Sequence, residues 1–215
     1  MEMTMIVILT FLVTAVTVLL SSLWLMLAII LPRMRVKVSS GSVRMCSVLG
    51  SGGHTTEMLK LVTSLDKNIY HPRLYLIADT DKFSQAKLIE AEDDTTKDWS
   101  VVRIPRSREV GQSYLTSVVT TIVSFYHCLL PLLEHQPQLL LVNGPGTCLP
   151  VAIICWILSM ARLSPCKIIF VESLCRVKTL SLTGKILQFL ADESLVQWLD
   201  LAQQYPRTKY IGKFL

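Results

Sequence analysis

The chain opens on an uninterrupted apolar run: from Met3 to Leu31 there are 29 residues without a charge. About 20 apolar residues cross a hydrocarbon core, so this length predicts a membrane helix even when tilted. After a short polar stretch at 36–42 the pattern changes. Apolar runs at 43–49, 73–78, 100–104, 138–142, 167–171 and 195–197 predict strands, with a weaker one near 209–211. Between them, apolar positions recur at helical spacing over 55–65, 82–91, 112–133, 148–160, 181–191 and 200–204. Buried strands alternating with helices predict an α/β fold, a single doubly wound parallel sheet covered on both faces, preceded by one transmembrane helix.

Two later windows, 111–133 and 136–160, also lack Asp, Glu, Lys and Arg. The second is broken by Asn143-Gly144-Pro145-Gly146, which leaves too short a piece to span a bilayer. The first carries His127, Tyr126 and several Ser and Thr. Both read as core helices, with one face dipping into a bilayer surface as the alternative.

The chain is 51% hydrophobic with a mean hydropathy of +0.48, the excess lying at the N-terminus. A cleaved signal peptide would carry its basic residues before a shorter apolar core. Here the early charge is Glu2, and Arg33, Arg35 and Lys37 follow the run, so the positive-inside rule places all that follows in the cytosol. The expected organisation is an anchor over 1–32, a basic linker over 33–42 and one domain over 43–215. Beyond Pro32 there are 21 basic against 15 acidic residues, a balance suited to anionic headgroups or phosphates. No basic and aromatic stripe interleaves, so nucleic acid is not an expected partner. Cys46, Cys128, Cys148, Cys155, Cys166 and Cys175 form no C-x-x-C pair and read as reduced packing residues.

The chemistry concentrates where strands end. Gly50-Ser51-Gly52-Gly53-His54-Thr55 joins an apolar strand to a helix start, the arrangement that builds anion sites. It lacks the Gly-Lys-Ser/Thr ending of an ATPase loop and the third glycine of a dinucleotide loop. His54 adds a group that exchanges protons near neutral pH. Asn143-Gly144-Pro145-Gly146-Thr147 is a second such turn, expected on the same sheet edge. Glu172 and Arg176 follow the fifth strand, and Arg103, Arg106 and Arg108 follow the third. The glutamate reads as a sugar ligand, a general base or a helix N-terminal charge, and the arginines as a solvated loop or as guanidinium groups for phosphate. Asp79-Thr80-Asp81 can hold a divalent cation but reads better as a helix cap. His71, His127 and His135 lack partners at ligand spacing, so zinc is not expected.

Together, Gly50-Ser-Gly-Gly-His-Thr-Thr-Glu, Ile77-Ala-Asp-Thr-Asp, Arg103-Ile-Pro-Arg-Ser-Arg, Val142-Asn-Gly-Pro-Gly-Thr, Val171-Glu-Ser-Leu-Cys-Arg, Ser181-Leu-Thr-Gly-Lys and Val196-Gln-Trp resemble, in order, one family. It is the membrane-anchor subunit of the two-subunit UDP-N-acetylglucosamine (UDP-GlcNAc) transferase of the dolichol pathway, asparagine-linked glycosylation protein fourteen. That family is similar to the N-terminal half of MurG-like GT-B glycosyltransferases. The resemblance implies a Rossmann-like domain on the endoplasmic reticulum membrane, with a lumenal N-terminus. It implies a soluble partner that binds UDP-GlcNAc, docked through the C-terminal segment, and transfer of the second GlcNAc, β1-4, onto GlcNAc-diphosphodolichol. His54, or Glu172 as second choice, would be the base. Gly50, Ser51, Gly52, Gly53, Thr55, Arg106, Asn143, Gly144, Gly146, Thr147 and Arg176 would bind substrate, with no metal or cofactor. The alternatives are an inert scaffold for that partner and a metal-dependent transferase using Asp79 and Asp81.

Overall fold

The computed structural model describes residues 2–30, 41–92, 98–108 and 111–213. The expected basic linker falls largely outside them, as do Phe214 and Leu215 of the C-terminal segment. The first helix, α1 (Glu2–Ile30), is 29 residues long and leaves apolar side chains such as Phe11, Val18 and Leu19 exposed. At 1.5 Å per residue it extends roughly 44 Å.

Seven strands and six helices then alternate: β1 (Met45–Leu49), α2 (Gly53–Thr63), β2 (Arg73–Ala78), α3 (Ser84–Glu92), β3 (Trp99–Ile104), α4 (Tyr114–His135), β4 (Leu139–Asn143), α5 (Cys148–Met160), β5 (Lys167–Val171), α6 (Leu182–Leu190), β6 (Glu193–Val196), α7 (Leu199–Gln204) and β7 (Lys209–Tyr210). All adjacent strands pair in parallel, in the order β3-β2-β1-β4-β5-β6-β7. The α/β parallel sheet matches expectation, and the weak run near 209 is a true edge strand.

Alternate residues of the central strands feed opposite layers because successive side chains point to opposite faces. Cys46, Val48, Leu74, Leu76, Leu140 and Val142 pack under α4, α5 and α6. Met45, Leu49, Tyr75, Ile77 and Leu141 pack under α2 and α3. Five cysteines are buried and Cys175 is exposed. Burial pushes the Cys128 thiol to about 11 and the Cys148 thiol to about 12, which keeps both inert.

The two charge-free windows part company. Helix α5 is a core helix, with Val151, Ala152, Ile154 and Cys155 buried. Helix α4 packs on α5 and on the outermost strand β3, and among its described side chains those buried are the stripe Ser117, Ser124, Cys128 and Leu132. Leu115, Val118, Val119, Ile122, Tyr126 and Leu130 face outward, so the core-helix expectation holds for one side of it alone. At this edge of the sheet no other element among the described residues covers the far side of α4.

Candidate active site

Strand order reverses between β1 and β4, since β1 pairs with both β2 and β4. In a parallel sheet the crevice outside the strand ends at such a point receives ligands. Both glycine turns lie there. Their approach is so close that a Cβ on Gly50 would come within 2.6 Å of Pro145 Cγ and 2.9 Å of His54 Cβ. Gly52 sits at φ 64°, the left-handed region, and α2 begins one residue later. Ser51, Gly52 and Gly53 are exposed at the loop tip.

Asn143, buried at the end of β4, donates from Nδ2 to the His54 carbonyl at 2.9 Å and so ties the second turn to the first. The His54 ring lies against Gly144: a Cβ there would stand 2.9 Å from His54 Cε1 and 3.6 Å from Glu172 Oε1. One bare backbone thus separates imidazole from carboxylate. Thr147 is buried at the start of α5.

Glu172 is 1% exposed. Its Oε2 accepts from the Ser181 backbone N–H at 2.8 Å and the Ser181 hydroxyl at 3.0 Å, and its Oε1 from the Ser173 N–H at 3.1 Å. Ser181 in turn caps α6 by accepting from Gly184 N–H at 2.9 Å. Burial pushes the Glu172 carboxyl above its usual range, offset only in part by those donors and by the Arg176 guanidinium. This carboxylate anchors a helix start to a strand end.

Helix α2 holds, just beyond its first turn, a residue the sequence reading passed over. Glu57, three residues after His54, faces His54 Nδ1 with Oε2 at 3.7 Å. Its Oε1 accepts from the Ser173 hydroxyl at 2.8 Å and the Leu174 N–H at 3.3 Å. Burial alone would raise its carboxyl; His54, Ser173 and Leu174 outweigh that and hold it below its ordinary value. The i, i+3 spacing was the available signal.

A cleft of about 450 Å³ opens on the other side of Gly144, lined by Arg108, Gly144, Gly146, Arg176, Ser181 and Thr183 and by the first turns of α4 and α6. Arg176 and Arg108 are the guanidinium groups it brings together. Arg106 instead lies near Asp81, whose carboxyl it helps to hold down. Thr55 is buried beneath the loop, with its hydroxyl on the Gly50 carbonyl and 2.5 Å from Ser84 Oγ. Asp81 Oδ1 accepts from the Phe83 and Ser84 N–H groups, both at 3.0 Å, and Oδ2 from the Ser84 hydroxyl at 2.6 Å. That is the expected cap.

The fold is that of a Rossmann-like α/β domain. Its architecture is shared by MurG of Acinetobacter baumannii, with a TM-score of 0.56 at 14% identity, over 80% of this chain and 45% of that one. This chain therefore spans under half of the MurG length. It belongs to the Alg14 family: the family described as "Oligosaccharide biosynthesis protein Alg14 like" matches residues 45–214. Proteins named UDP-N-acetylglucosamine transferase subunit ALG14 are similar to it. The mouse protein is 45% identical, over 81% of this chain and 84% of its own; the human protein is 44% identical over the same shares. The Candida albicans protein is 40% identical, over 86% of this chain and 88% of its own.

Proposed function

We propose that the chain is the acceptor-side, membrane-anchored subunit of a UDP-GlcNAc transferase that adds the second GlcNAc, β1-4, to GlcNAc-diphosphodolichol on the cytosolic face of the endoplasmic reticulum. Membership of the Alg14 family and the names of its relatives support the class. The observation that carries the site is the His54 ring seated at the switch point, between two interlocked glycine turns and beside a cleft with two arginines. The fold matches under half of MurG, which supports a second subunit facing this edge and supplying the donor sugar nucleotide. The C-terminal segment, with Tyr210 and Ile211 exposed, is the proposed dock for that partner.

In this reading α1 spans the bilayer with a lumenal N-terminus, and the outward apolar side of α4 rests on the same membrane. The cleft then opens beside the surface that delivers the lipid. Arg108 and Arg176 hold the acceptor diphosphate, since planar guanidinium groups match phosphate oxygens. The acceptor 4-hydroxyl oxygen bonds to the donor anomeric carbon from the face opposite UDP, inverting it. The anomeric C–O bond breaks with its electron pair going to UDP, and His54 takes the hydroxyl proton. His54 is preferred to Glu172, whose oxygens already accept three donors. The reading calls on no metal: Asp81 holds the start of α3 with both oxygens.

The test is turnover of His54→Ala, co-expressed with the partner in membranes. The expected loss is about 10²–10⁴-fold, the contribution of a general base. Near-normal turnover removes His54 from the role and leaves the chain as an inert scaffold.

A further inference from the structure

We infer that Glu57 is the positioning carboxylate of this site, holding the His54 imidazole through Nδ1 so that Nε2 meets the acceptor hydroxyl. The inference rests on the reading of His54 as base.

Three observations carry it. His54 Nδ1 is shut off from solvent and has no hydrogen-bond partner among the described residues, although the side chain as a whole is 35% exposed. An enclosed ring nitrogen needs a partner, and the carboxylate oxygen that faces it is Glu57 Oε2 at 3.7 Å. Catalytic hydrogen bonds are often long in a ligand-free site and tighten when substrate is bound, so 3.7 Å is compatible with this role. Second, Glu57 is itself fixed. Its other oxygen is gripped by Ser173 and Leu174 of the β5–α6 loop, and the side chain is 10% exposed. A carboxylate clamped at Oε1 presents Oε2 in one direction. Third, His54 itself, together with Ser173 and Leu174, holds the Glu57 carboxyl below its ordinary value, and a carboxylate accepts without competing to donate.

The consequence is a division of labour within the ring. Nδ1 keeps its hydrogen toward Glu57, which leaves the Nε2 lone pair as the proton acceptor. When Nε2 takes the hydroxyl proton, the new C–O bond forms and UDP departs with the electrons of the old one. The imidazolium then faces a full negative charge that was already in place. That attraction grows as the proton moves, so it lowers the barrier rather than tightening substrate.

The experiment measures kcat and KM for UDP-GlcNAc, with a GlcNAc-diphosphopolyprenol acceptor, in membranes holding the full chain and its partner. Glu57→Gln keeps the shape and an acceptor for Ser173. It is expected to lower kcat by roughly 10²-fold, the low end of a general-base contribution, with KM unchanged. Added to His54→Ala it should cost nothing more, because the carboxylate works only through the ring. Ser173→Ala, which loosens the clamp, should show a smaller loss of the same kind, also absent beside His54→Ala; this variant decides if Glu57→Gln fails to assemble. Normal turnover in Glu57→Gln, or a loss that multiplies with that of His54→Ala, overturns the inference. If His54→Ala itself turns over normally, it is the base reading that fails.

Discussion

Two buried glutamates lie close to this edge of the sheet, one on helix α2 and one just after β5, and their surroundings drive them in opposite directions. Glu172 is the more deeply buried, and despite its hydrogen bonds burial wins, so the carboxyl is pushed up. Glu57 is also enclosed, but an imidazole, a hydroxyl and an N–H together prevail, and it is held down. The lesson is that burial alone does not assign a carboxylate's state; the identity and charge of its partners does. One glutamate fastens a helix, and the other faces a ring.

The largest break in this comparison is Glu172→Ala, which strands the buried Ser181 N–H and hydroxyl. It should destabilise the fold by about 3 kcal/mol, the upper end for unsatisfied buried donors, as read by urea unfolding of the full chain in detergent. Gly184→Ala attacks the same anchor from α6. Its Cβ would sit 2.4 Å from Glu172 Oε2 and 3.1 Å from Phe170 Cε1. Overpacking of this kind should cost about 2 kcal/mol. Gly144→Ala falls between Glu172 and the His54 ring, which can swing away. Stability should change by only about 1 kcal/mol. Turnover, however, should drop on the order of 10²-fold, because the displaced ring no longer meets the substrate.

The smallest effect is the most diagnostic, and it is the pH dependence. Glu57, with its folded value lowered, contributes stability above its unfolded value, and that is lost as pH falls through the folded one. Glu172, with its folded value raised, favours the fold below its unfolded value, and that is lost as pH rises through the folded one. Unfolding free energies from about pH 3 to pH 7 bracket the ordinary glutamate range. Wild type minus Glu57→Gln should grow with pH, and wild type minus Glu172→Gln should shrink. Equal signs would erase the distinction between the two glutamates.

Much of the fold was legible because it rests on local periodicity. Strand runs such as 73–78 and 167–171 and the helix over 148–160 coincide with the observed elements. Strand β6 starts at Glu193, earlier than its apolar run, because pairing with β5 recruits a charged residue at the sheet's thinning edge. The site was legible where it depends on turns: Gly50–Gly53, Asn143, Gly144 and Gly146 do converge at one edge. It was not legible where partners lie far apart in sequence. Thr55 and Arg106 look like ligands in their motifs, yet one supports the loop from beneath and the other lies near Asp81.

What the sequence determined by itself was the alternation of strand and helix, the long charge-free run at the N-terminus and a histidine in a glycine turn. These follow from spacing and from residue chemistry, which need no neighbour. Only tertiary structure decided that α5 is enclosed while α4 presents its apolar side outward, because windows 111–133 and 136–160 both lack Asp, Glu, Lys and Arg and the pattern alone does not say what covers them. It alone decided the part of Glu57, whose grip by Ser173 spans 116 positions of the chain. Hydrophobic pattern is a property of a segment, but enclosure, charge balance and orientation belong to whatever the fold sets beside it.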